Sequence, residues 1–347
     1  MSISNWRFRP GTMVVECAPG VVQIGGERRW AFRMSDITPA ELEWLRMGSC
    51  RSGEFRSLAR KCGVSKERAQ GLCETLARSG FLIPTGAIPG TLNQPKSGPI
   101  GTDRAGGASD VSALGALRPD GQGSRTLFLR GLSRVAITTS NRLGAQIALQ
   151  LAAAGIGHLQ LPDTARVDTN DLGPYQLTDL GNGRQEALSG QIAALGLDPR
   201  YTLDDTPHLI ISLENGVASG NHLDRFQQAA IPHLPIVVSE TTCEVGPLVL
   251  PGRSACTNCV NLYRAGADSS WGAVSDELRS RKPFPIETLL ATTTAALVTA
   301  QVLGFVDGTA PSLLNHIASV ELPGVGVKLA EVVPNPACGC IAGPEPR

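Results

Sequence analysis

The chain has no excess of charge of either sign: 31 Lys and Arg balance 31 Asp and Glu across 347 residues. A molecule without net charge has no overall field to draw nucleic acid or an anionic membrane, although one sub-region can still be basic. The opening MSISNWRFRPG lacks the apolar run of a secretory signal, which points to a cytoplasmic protein. No internal repeat is present. An even, regularly spaced cysteine set is missing too. There are nine, unevenly spread, which argues against a disulfide scaffold. Hydrophobic residues at 42% and charged ones at 18% are ordinary for soluble globular chains, and the length allows two or three domains.

One stretch requires a membrane test. LLATTTAALVTAQVLGFV, residues 289–306, runs 18 residues without a charge but holds four threonines and Gln301. In a chain that otherwise reads soluble, a long core helix is the expected form, with no membrane partner.

The order of elements changes along the chain. TMVVECAPGVVQIGG predicts a hairpin turning at Pro19-Gly20. Thr38, Pro39 and Glu41 form the start signal of a helix, with Glu41 at the capping-box position. Two short helices joined at Gly63-Val64-Ser65, followed by a strand, predict a small winged-helix domain over 1–85. Residues 86–124 are rich in Gly, Pro, Ser and Ala and are expected to be a linker. From 125 to 343, strands RVAITT, HLQLPD, HLIISL and LPIVVSE alternate with helices. That pattern predicts an α/β fold with a doubly wound, mostly parallel, Rossmann-like sheet. After Glu240 a hairpin at CEVGPLVLPG, the long helix and two strands, NHIASVEL and GVKLAEVV, are expected.

Four cysteines fall in two hooks, Cys256-Thr-Asn-Cys259 and Cys338-Gly-Cys340, 78 residues apart. Four thiolates can close a tetrahedral zinc site, with bonds of about 2.3 Å. Such a site has no open position, so Zn2+ would be structural. The alternatives are buried free thiols or a redox CxxC, but Pro-Gly-Arg-Ser-Ala is not the strand that precedes a redox CxxC. Cys17, Cys50, Cys62, Cys73 and Cys243 have no partner at metal spacing and read as small core residues.

Together these features resemble the ThiF-type adenylyltransferases, relatives of the ubiquitin-activating enzymes, over roughly residues 130–341. VVSETTCEVGPLVLPGRSACTNCVNLYR is the most specific stretch; LGAQIALQLAAAGIGHLQLPD and TTAALVTAQVLGFVDG are similar to that family's first helix with second strand and its late helix. The family's glycine-rich phosphate turn becomes Thr139-Ser140-Asn141-Arg142-Leu143-Gly144, in which Gly144 alone is kept. Of the following Asp-x-Asp and Ser-Asn-Leu-x-Arg-Gln signature, Asp163 is kept. Ala165, Asp171 and Pro174 replace the second Asp, the Asn and the Arg. Gln185 falls where a lysine is expected, Glu214 where a metal-binding Asp is, and no cysteine lies between 260 and 337. Adenylation needs cations against the phosphate charge. The expectation is therefore a nucleotide site reduced to Gly144 and Asp163, without bound ATP and without catalytic residues. Arg142 and Arg166 read as surface arginines, with binding of an anion as the alternative.

With a winged-helix domain in front, the whole resembles the leader-peptide-binding partner protein of azoline-forming cyclodehydratases. That implies a PqqD-like peptide-recognition domain, a YcaO-type partner enzyme and a homodimer. In such domains a peptide adds as a strand to the sheet. Within 51–85, Arg51, Arg56, Arg60, Lys61, Lys66, Arg68 and Arg78 against Glu54, Glu67 and Glu74 give +4. That charge suits an acidic leader, or DNA phosphates. Two other classes compete with the peptide-binding scaffold: a divergent ATP-dependent adenylating or sulfur-transfer enzyme, and a winged-helix transcription regulator.

Overall fold

The computed structural model describes residues 6–9, 11–50, 55–84, 107–118, 120–194, 206–218 and 220–341. Arg51, Glu54, most of the expected linker and residues 342–343 lie outside the described residues. The chain divides into two compact units, Met1–Leu127 and Phe128–Arg347.

In the first unit, β1 (Trp6–Phe8) pairs antiparallel with β5 (Leu82–Pro84), and β2 (Val14–Ala18), β3 (Val21–Ile24) and β4 (Phe32–Met34) form a three-stranded meander. Pro19 and Gly20 make the β2–β3 turn, where Gly20 takes φ 72°, a left-handed conformation that side chains disfavour. Helices α1 (Pro39–Cys50), α2 (Phe55–Lys61) and α3 (Lys66–Arg78) follow. The predicted capping box closes α1: the Glu41 backbone N–H donates to Thr38 Oγ1 and the Thr38 N–H to Glu41 Oε2. Ser65 caps α3 by accepting from the Arg68 N–H at 3.2 Å. The core is Trp44, Leu45, Phe55, Leu76 and Phe8, with Trp44 Nε1 donating to the Phe55 carbonyl. The strand expected after Ser79-Gly80 is β5, and it returns to β1. Cys73 is buried, but Cys17 is exposed on β2 rather than in the core.

Within the expected linker, Gly107–Leu117 is a helix (α4), and α5 (Gly123–Gly131) begins before the linker was to end. The Gly and Pro content that suggested a linker is concentrated before residue 107. GASDVSALGAL carries no proline and enough Ala and Leu to sustain a helix.

The second unit is built on a seven-stranded sheet ordered β12-β11-β10-β9-β8-β6-β7. Its strands are β6 (Arg134–Ile137), β7 (His158–Gln160), β8 (Leu209–Asn215), β9 (His233–Val238), β10 (Thr242–Val245), β11 (His316–Glu321) and β12 (Gly326–Glu331). The first four run parallel, and β10, β11 and β12 extend the sheet antiparallel. Helices α6 (Arg142–Ala153), α7 (Arg184–Ala194), α8 (Gly220–Gln228), α9 (Thr257–Ala267), α10 (Trp271–Ser280) and α11 (Thr288–Val306) complete it. The hairpin expected at 243–252 is absent. Only Thr242–Val245 is a strand, inserted between β9 and β11, because Gly246-Pro247 breaks the ladder. Leu248 and Val249 make single bridges to Leu314 and His233.

α11 is long and apolar enough to cross a membrane by composition. Its Leu290, Ala291, Ala295, Val298 and Val302 belong to the main core with α6 and the sheet, and Gln301 Oε1 accepts from the Leu313 N–H at 3.1 Å. It has the packing of a core helix. Order reverses around β6, so a crevice for ligands is expected at the carboxyl ends of β6 and β8.

Candidate functional site

The crevice holds the turn Thr139–Gly144, in which Gly144 is the one glycine. In a nucleotide-binding turn the first N–H groups of the helix point at phosphate. Here Asn141 Oδ1 accepts from the N–H groups of Leu143 and Gly144, both at 3.1 Å. The helix head is thus closed by its own N-cap. Gly144 is retained for a steric reason: a Cβ there would stand 1.9 Å from the Thr139 carbonyl oxygen.

Asp163, the second residue expected here, is buried and fully engaged. Its Oδ2 accepts from the Ser140 N–H (2.7 Å), the Thr139 hydroxyl (2.9 Å) and Arg184 (3.4 Å), and its Oδ1 from the Ala165 N–H (2.8 Å). Burial alone would raise its pKa, but these hydrogen bonds and the Arg184 charge hold it below the usual carboxylate value. Arg184 also donates to Asp171 at 2.9 Å, and Tyr175 donates its hydroxyl to the Ser140 carbonyl at 2.7 Å. Asp171 in turn closes a capping box with Asp168 over a short 3-10 turn. A buried polar network therefore fixes the turn from below.

Arg184 was not singled out from the sequence. The resemblance puts the family's lysine at Gln185, one position on, yet the guanidinium that reaches the site belongs to the first residue of α7. A basic residue beside the expected position was the available signal. Its charge is already shared between two carboxylates, and burial, which would lower its pKa, is outweighed by them.

Two other features were also missed. Asn215, at the end of β8, donates to the carbonyls of Arg281 and Lys282 and accepts from the Phe284 N–H. Arg142, expected on the surface, donates to the Ile286 carbonyl (3.1 Å) and Thr288 Oγ1 (3.2 Å). The chain at 281–288 is therefore fastened both to β8 and to the head of α6. Arg166 donates to the Gly181 carbonyl at 2.6 Å. Glu214, at the expected metal position, accepts from the Ser212 hydroxyl and from His222 Nε2 (2.8 Å) on α8.

The four predicted cysteines come together. All their sulfur atoms lie within 4.8 Å of one another. The Cys256–Cys338 and Cys259–Cys340 separations are 3.4 Å, and Cys256–Cys259 is 3.9 Å. A tetrahedron with metal–sulfur bonds of about 2.3 Å has edges of about 3.8 Å, so the set fits zinc. The Asn335 N–H and Asn258 Nδ2 point at Cys259 Sγ (3.3 Å) and Cys338 Sγ (3.2 Å), the outer contacts that steady thiolates. Burial pushes the Cys340 thiol up to about 11 and Cys256 well above its ordinary value. For Cys259 burial is outweighed by hydrogen bonds from Asn335 and its neighbours, and its pKa falls.

The fold is the one seen in solved structures of E. coli MccB and of PaaA. Among solved structures, E. coli MccB with MccA-N7isoASN superposes with a TM-score of 0.69 at 14% identity, covering 98% of this chain and 100% of that one. The microcin C7 biosynthetic enzyme MccB in complex with N-formylated MccA gives 0.68 at 14%, with 97% and 99% covered. PaaA gives 0.62 at 18%, with 92% and 98% covered. At these identities the likeness is one of fold. No family model matches the chain, and no curated protein matches it.

Proposed function

We propose that this protein is a non-catalytic peptide-binding scaffold of a peptide-modifying system. The observation that carries this reading is the closed head of α6: Asn141 Oδ1 occupies the N–H groups that a phosphate would need. The first unit is the PqqD-like, winged-helix peptide-recognition domain, and the second presents the peptide to a partner enzyme, of YcaO type by the sequence resemblance, as a homodimer. The MccB structures solved with MccA peptide support peptide modification as the setting. The four cysteines hold a structural zinc, which supplies cross-linking and no reactive position.

Thermal unfolding with ATP-Mg tests the reading. A ligand at about 100 times its Kd stabilises by about 2.7 kcal/mol, which shifts Tm by about 5–10 °C in a domain of this size. The expected shift is zero, and a shift of that size would overturn the scaffold reading.

One observation favours a second reading, a divergent adenylating enzyme. Arg184 keeps a cation at the crevice, and the fold matches E. coli MccB, also solved with ATP, over 97% of this chain. ATP–pyrophosphate exchange with peptide present separates the two; the scaffold gives none.

A further inference from the structure

Charge is unevenly divided between the units although the chain is neutral. Met1–Leu127 carries 17 basic and 11 acidic residues, a net +6, and the remainder carries 14 and 20, a net −6. Most of the described basic side chains of the first unit are exposed, and Arg29, Arg68 and Arg118 are paired with Glu27, Glu41 and Asp120. Arg7 and Arg9 differ. The Nε atom of each is buried and has no hydrogen-bond partner among the described residues.

Their placement follows from the strand. Phe8 packs edge-on against Phe55, with ring centres 5.2 Å apart, and this fixes the inward face of β1. Side chains alternate across a strand, so Arg7 and Arg9 share the other face, about 6.8 Å apart. Arg7 lies opposite Ile83 in the ladder, and the Arg9 N–H donates to the Phe81 carbonyl at 2.8 Å, so both positions are held by β5. Arg7 and Arg9 thus share one face of a strand held by β5, beside the buried Ile83 and Phe81, and each leaves a shielded Nε–H without a partner among the described residues.

We propose that Arg7 and Arg9 form a binding site for two carboxylates of an extended acidic peptide, spaced two residues apart. The pitch decides the ligand. In an extended peptide, side chains two residues apart share a face at that same spacing of about 6.8 Å, so each meets one guanidinium fork. The net +6 of the unit draws the acidic segment in, and the shielded Nε groups gain partners only when it arrives. This assignment rests on the peptide-binding reading of the first unit and names the chemistry of what it binds.

The test uses the full chain and fluorescence anisotropy with a labelled ten-residue peptide of Ser and Val carrying two glutamates two apart. Its counterpart replaces both with glutamine. The glutamate peptide should bind more tightly, by about tenfold per arginine. Arg7→Met and Arg9→Met, which keep the apolar stem, should each remove about one such factor and leave the glutamine peptide unaffected. Arg7→Lys and Arg9→Lys retain charge without the fork and should fall between; they serve if a methionine variant fails to show the wild-type melting curve. Equal binding of the two peptides, unchanged by either substitution, overturns this site and leaves peptide binding standing. No binding of either peptide to the unsubstituted chain overturns both. A DNA duplex that outcompetes the glutamate peptide at equal concentration would also sink the proposal, since phosphate would then be the ligand.

Discussion

At the residue scale, Asn141 does at the head of α6 what a phosphate oxygen does in a nucleotide-binding turn. It accepts from two N–H groups of the first helical turn. Glycines in such a turn let phosphate approach the helix head; where a side chain supplies the acceptor, no such opening is needed. Gly144 is the exception because its constraint is the Thr139 carbonyl and not the ligand. Gly144→Ala should therefore destabilise the second unit by about 2–3 kcal/mol, as overpacking does. A urea titration would show a lower midpoint at unchanged slope; no change would mean the turn can shift freely. His222 makes a second prediction. Its hydrogen bond to Glu214 raises its pKa above the ordinary value, against burial and Arg225. A raised folded-state pKa gives stability that is complete below about 6.5 and lost as pH rises through the folded value. Nearby His233 moves the other way, pushed down by burial, so it titrates below that window. Stability should decline above pH 6.5 and His222→Gln should flatten the decline, measured by denaturation at a series of pH values.

At the element scale, the parallel strands and the helices between them were legible because each alternation of apolar period leads to one arrangement. RVAITT, HLQLPD, HLIISL and LPIVVSE all became strands of one sheet. What was not legible depended on contacts far along the chain. Arg142 finds the carbonyl of Ile286, 144 residues away, and local pattern carries no trace of that. CEVG read as half of a hairpin because its true partners, β9 and β11, are not its neighbour in the expected turn. The cysteine hooks were legible since ligand spacing is local within each pair. Composition also leaves α11 open to two readings, and packing separates them. Leu290 is fully buried, whereas Leu289, next to it, is half exposed. Leu290→Ala should cost about 2–4 kcal/mol and Leu289→Ala under about 0.5 kcal/mol, read by chemical denaturation of the protein in water. Equal costs would remove the case for a one-sided core helix.

At the scale of the whole molecule, two units with separate cores are joined through α5, and every zinc ligand belongs to the second. Cys256 and Cys259 sit at the head of α9, and Cys338 and Cys340 follow β12. A bound zinc would thus fasten the segment after β12 to the head of α9, which lies between β10 and β11 in the chain. Tetrathiolate zinc contributes on the order of 10 kcal/mol to small domains, and its loss should fall on the second unit alone. The tryptophans allow the units to be read apart: Trp6, Trp30 and Trp44 lie in the first, and Trp271 alone in the second. Metal analysis should find about one zinc per chain. A chelator, or Cys259→Ser, should lower one calorimetric transition by tens of degrees while the tryptophan fluorescence midpoint, dominated by buried Trp44, stays in place. If both signals fall together, the units unfold as one and the metal stabilises the whole chain. If neither falls and no zinc is found, the four sulfurs are free thiols packed around Val249 and Ile317, and the staple does not exist.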